Sequence, residues 1–103
     1  MPIQSIPKRE FDRLGPGRGP MVESLIEEIE WFADDEKSVI GVVARDRSDN
    51  DFSIAVLGRD ERQRFRAIDT DVSIENVNDA RTQLIEKMEK ALAARESIVP
   101  QGD

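Results

Sequence analysis

Arginines and carboxylates are the side chains in this sequence with the most chemistry to offer. Arg62, Arg64 and Arg66 alternate about Phe65, so on a strand they would project to one side while Phe65 enters the core. Arg59 follows Leu57 and Arg45 follows Val43 in the same alternation, which predicts that neighbouring strands add guanidinium groups to that face. Guanidinium forks match carboxylate and phosphate, so such a face would suit an acidic protein, a phosphate group or single-stranded nucleic acid. Asp46, Asp60, Glu61, Asp69 and Asp71 are interspersed with it and would neutralise it locally.

Other chemistry lacks its usual side chains. The sequence contains no cysteine and no histidine. The first removes disulfides, zinc thiolates and thiol nucleophiles, and the second removes the commonest general base near neutral pH. Asp34, Asp35 and Glu36 form the densest acidic group, which reads as a solvated turn before it reads as a cation site. The run from Asp46 to Asp51 opens like a calcium loop, but Asp51 stands where its glycine belongs and Leu57 where its glutamate belongs. Paired carboxylates could do acid–base work only around a sizeable cleft, and a chain of 103 residues has little interior to spare. The glycines of Gly15-Pro16-Gly17-Arg18-Gly19 follow no strand, so they do not read as a phosphate cradle. No catalytic, cofactor-binding or metal-binding residue is assigned, and the expected protein is not an enzyme.

The elements that must position these residues read as one α+β domain. Residues 1–19, rich in proline and glycine, are expected to be a flexible arm. The domain proper is expected over 20–96. Pro20 suits the first position of a short N-terminal helix, with Met21, Val22, Leu25, Ile26 and Ile29 at near-helical spacing. An antiparallel meander of three to four strands follows, with apolar runs at Trp31–Ala33, Val39–Val43, Phe52–Leu57 and Phe65–Ile68. Each link is too short for a crossover connection. The fourth strand is expected to end near Asp69.

Val77, Ala80, Leu84, Ile85, Met88 and Leu92 then recur at spacings of three and four, predicting a C-terminal amphipathic helix laid across the sheet. Ser73 or Asn76 would cap it, and Glu86 with Lys90 would pair on its wet side. Residues 97–103 are expected to fray.

Partners follow from charge and from one aromatic. A formal net charge of -7 repels phosphate at long range, so nucleic acid is the less favoured partner. No apolar run is long enough to cross a bilayer, and residues 1–10 lack the apolar stretch of a secretory signal, so a cytoplasmic location is expected. Trp31 and Phe32 are adjacent and would face opposite ways on a strand. One of them therefore becomes a candidate contact residue unless the first helix covers it. Arg45, Arg59, Arg64, Arg66 and Trp31 are the candidate partner-binding residues, for a protein partner or for self-association as a homodimer.

The segments Glu30-Trp31-Phe32-Ala33-Asp34-Asp35-Glu36, Val56-Leu57-Gly58-Arg59-Asp60-Glu61 and Arg64-Phe65-Arg66-Ala67-Ile68-Asp69 together resemble a family of short proteobacterial proteins. The resemblance covers the middle of the chain and the C-terminal helix, and it implies no activity and no catalytic residue. In architecture, a meander followed by an amphipathic helix is also similar to antitoxin domains of the HicB type and to double-stranded RNA-binding domains. That likeness implies a nucleic-acid-associated regulator as the alternative function.

Overall fold

The computed structural model describes residues 3–16 and 26–98. A meander of five antiparallel strands runs in chain order: β1 (Gln4–Ile6), β2 (Ile26–Ala33), β3 (Val39–Asp46), β4 (Phe52–Arg59) and β5 (Phe65–Ile74). Helix α1 (Lys8–Arg13) lies between β1 and β2, and helix α2 (Val77–Ile98) ends the described chain. The α+β class, the antiparallel meander and the C-terminal helix are as the sequence predicts.

The sheet has an apolar layer on each side. Phe32, Val39, Val43, Ile54, Val56 and Ile74 pack against Ala80, Leu84, Met88 and Leu92 of α2. On the opposite face Ile40, Val42, Leu57 and Phe65 gather with Ile6, Ala33 and Phe11 of α1. Burial on both faces explains why β3 has no polar alternation, its residues Val39–Ala44 all being buried. Gly41 lies under α2. A Cβ there would stand 2.7 Å from Met88 Sδ and 2.8 Å from Leu84 Cδ1, so glycine allows the helix to settle onto the strand. Asn76 caps α2: its Oδ1 accepts from Asp79 N–H at 2.8 Å while its Nδ2 donates to Asp79 Oδ2 at 3.0 Å.

Four expectations are corrected. The stretch 1–19 is not an arm throughout, because Gln4–Ile6 pair with Trp31–Ala33 and the short N-terminal helix occupies Lys8–Arg13. Phe11, only 1% exposed, fixes that helix to the sheet, and a single aromatic among five charged neighbours leaves little periodic signal.

The helix expected from Pro20 is a strand from Ile26 onward, and its first residues, 20–25, lie outside the described ones. Glu28 pairs with Ala44 and Glu30 with Val43, so Ile29 is the extra residue of a β-bulge. That insertion separates Ile26 and Ile29 by three and imitates a helical period. Finally, β5 continues to Ile74 rather than ending near Asp69, and α2 reaches Ile98, beyond the expected start of the tail.

Candidate functional site

The tight turns of the meander use one device. Asp34, 4% exposed, closes the β2–β3 turn: its carboxylate accepts from the N–H groups of Glu36 (3.2 Å), Ser38 (2.8 Å) and Val39 (2.8 Å) and from the Ser38 hydroxyl (3.1 Å). Asp60 repeats the arrangement in the β4–β5 turn, accepting from Arg62 N–H at 2.8 Å and Arg64 N–H at 3.0 Å. Asp46 accepts from Ser48 N–H at 2.8 Å between β3 and β4. Each turn carries a non-glycine residue with positive φ, Lys37 at 59°, Asn50 at 63° and Gln63 at 64°. The aspartates offset that backbone cost locally by satisfying N–H groups the ladder leaves over. The acidic clusters of the sequence are therefore turn locks, and Asp34 turns its oxygens onto the backbone rather than toward solvent.

Arg59 joins two of these turns. Its Nε donates to the Lys37 carbonyl at 2.9 Å and its Nη1 to the Gln63 carbonyl at 2.8 Å, so one guanidinium bridges the left-handed residues of both. The same group lies 4.3 Å from the centroid of the Phe65 ring. Arg95, from α2, donates to the Arg59 carbonyl at 3.0 Å. Lysine could reach only one of the two carbonyls. Arg59→Lys should therefore lower the unfolding free energy by about 1–2 kcal/mol in a urea titration. Arg64→Lys should leave it within about 0.5 kcal/mol.

The predicted arginine face is not assembled. Arg59 pairs with Phe65 on the α1 side, whereas Arg66 pairs with Gly58, whose missing side chain faces Arg95 and Ile68 on the α2 side. Arg45 pairs with Phe52, at the other end of β4 from Arg59, about 23 Å away for seven steps along a strand. It is held by Glu27 at 2.6 Å. Arg66 is held by Asp60 at 2.9 Å. Arg62 and Arg64 belong to the turn rather than to β5, which breaks the alternation the sequence suggested. Their side chains are exposed and make no ion pair among the described residues. Trp31 and Phe32 do face opposite ways, Phe32 under α2 and Trp31 half-buried beside the α1-side core, its indole N–H donating to Glu28 Oε1 at 3.2 Å.

Electrostatics follow the same division of labour. Arg64 N–H and then the Arg66 side chain hold the Asp60 carboxyl below its ordinary value, and the Ser48 hydroxyl does the same for Asp46. Arg81 of α2 grips Glu30 of β2 through Nε to Oε1 at 2.7 Å and Nη2 to Oε2 at 2.5 Å. Those hydrogen bonds lower the Glu30 pKa from 4.5 and raise that of Arg81. A carboxyl more acidic when folded stabilises fully above its unfolded value, and that contribution drains as pH falls through the folded one. Stability should thus decline below about pH 4.5. Glu30→Gln should be less stable near neutrality and show a shallower acid decline, read from urea midpoints across that range.

The sheet has two edges, β1 and β5, and the longer is the outer side of β5. No strand among the described residues pairs with it, and eight successive residues, Arg66–Ser73, are exposed. Ile68 (51% exposed) and Val72 (66%) are the exposed large apolar side chains of the described residues. Both sit where β5 carries extra residues: Leu57 and Val56 pair with Ala67 and Asp69, and Ile54 and Phe52 with Asp71 and Ile74. Bulges at a sheet edge re-aim side chains. Sequence pattern places Ile68 in a strand but gives no sign of the bulge that exposes it. No family model, no curated protein and no solved structure matches the chain. No helix among the described residues is long and apolar enough to cross a membrane.

Proposed function

We propose that the chain is a small non-catalytic protein-interaction module that meets its partner along β5. The observation carrying this reading is a ten-residue edge strand that exposes Ile68 and Val72 and that no strand among the described residues pairs on its outer side. An unpaired edge offers main-chain donors and acceptors to an added strand, and the exposed side chains supply selectivity. Arg64 and Arg62 lie at the start of that edge and remain candidate contacts. Arg45, Arg59 and Arg66 are instead assigned to holding the fold, and Trp31 to flanking the α1-side core. The nucleic-acid-associated alternative has exposed arginines such as Arg62 and Arg64 in its favour, against a formal charge of -7.

A photo-crosslinking residue at Val72 tests the reading in cells producing the full chain. A discrete adduct should form from Val72, with none from Glu89 on the exposed side of α2. Equal labelling from both positions, or none from Val72, would contradict it.

A further inference from the structure

Resting on that reading, we infer that the partner along β5 is a second copy of this chain, joined edge to edge about a two-fold axis at the Ala67–Ile68 bulge. The backbone is self-complementary about that point. Arg59 N–H donates to the Ser38 carbonyl at 3.1 Å, on the β3 side, whereas Asp60 N–H donates to the Arg64 carbonyl at 2.8 Å. Direction alternates along an antiparallel ladder, so Arg59, Leu57 and Ala55 turn their backbone groups to β3, and their partners on β5 turn theirs outward. Phe65 and Thr70, which pair with Arg59 and Ala55, therefore each present an N–H and a carbonyl to the open edge. They flank the bulge symmetrically. In an antiparallel copy, Phe65 of one chain meets Thr70 of the other, and the two residues of each such pair exchange hydrogen bonds.

The side chains match about the same axis. Arg66 and Asp69 pair with Gly58 and Val56, and both lie on the α2 side because the extra residue Ile68 restores the alternation between them. Arg64, opposite Asp60, and Asp71, opposite Ile54, repeat that relation one step further out. The two-fold thus sets Arg66 of each copy against Asp69 of the other, and Arg64 against Asp71. Arg66 already holds Asp60 and Asp69 already meets Lys87, so the inner pairs add little. Arg64 and Asp71 make no ion pair among the described residues, and the symmetry brings these two together. Ile68, 51% exposed and lying against Gly58, comes beside the axis, where the two copies cover each other's apolar side chain. A strand of one sign would suit half of β5 and repel the other half, whereas the chain's own β5, running the opposite way, suits both. The formal charge of -7 on each copy opposes their approach, so pairing belongs to concentrated solution and the edge is open in dilute solution.

Sedimentation velocity of the full chain over rising concentration supplies the test. A reversible dimer is expected, and exchange of the Phe65 and Thr70 amides should slow as it fills. Arg64→Asp alone and Asp71→Arg alone each set like charges opposite one another at both ends of the interface, and each should weaken the dimer about tenfold. Both positions are exposed, so the variants should melt with the parent chain in dilute solution. An equimolar mixture of the two variants restores opposite signs at both ends and should associate as tightly as the parent. The adduct from Val72, next to the outer pair, should have the mass of two chains. Unchanged association of either variant, or a mixture no tighter than its components, would overturn the inference. A chain that stays monomeric while Val72 yields an adduct with a different protein would leave the interaction-module reading standing and remove the second copy as its partner. Absence of both dimer and adduct would remove the two readings together.

Discussion

Asp34→Ala should lower the unfolding free energy by about 3 kcal/mol, a large effect for one residue in a turn. The carboxylate is buried and accepts from three backbone N–H groups and a hydroxyl, so its removal strands donors that cannot all reach water. Val39 N–H is the most costly of these, because Val39 is fully buried under α2. Asp34→Asn keeps one acceptor oxygen and should cost less, about 1–2 kcal/mol. Urea unfolding of both variants checks the order. Equal stability of Asp34→Ala and the parent chain would mean that the β2–β3 turn is closed by its backbone alone.

Leu84→Ala should be at least as damaging, at about 3–4 kcal/mol. Leu84 is fully buried, lies over Gly41, and belongs to the cluster that unites α2 with four strands. The backbone of Gly41 cannot follow the shortened side chain, so a cavity should persist where the helix and β3 come closest. Glu86→Ala, two residues on and exposed, should stay within about 0.5 kcal/mol. Thermal midpoints give an independent reading, since about 1 kcal/mol moves a domain of this size by about 4–8 °C.

What the sequence disclosed and what it concealed divide along burial. The stripe from Val77 to Leu92 could be read because one face of a long helix is buried and the other is not. Turns near 34–37, 47–50 and 58–62 were legible from polar runs between apolar ones, although the last extends to Arg64, which the alternation had put on the strand. Ile29 misled because a bulge and a helix both bring apolar residues to a spacing of three. Phe11 was overlooked because one buried aromatic carries no period at all. The arginine stripe failed for a geometric reason: Arg59 and Arg66 belong to register pairs that are adjacent and therefore face opposite ways. The far end of β5 was missed because an exposed edge strand needs no apolar alternation, so Asp69, Thr70 and Asp71 read as a loop. In each case the missing information was pairing, which sequence pattern specifies weakly wherever a strand is solvated.

Amide hydrogen exchange on the unliganded chain tests the division between committed turns and open edge most directly. Slow exchange is predicted for Glu36, Ser38, Val39, Arg62 and Arg64, whose N–H groups donate to Asp34 or Asp60, alongside the interior of β3 and β4. Fast exchange is predicted for those β5 amides that do not face β4. Fast exchange at Ser38 and Arg64 together with slow exchange throughout β5 would contradict the account, for it would mean that the turns are loose and the edge is already covered.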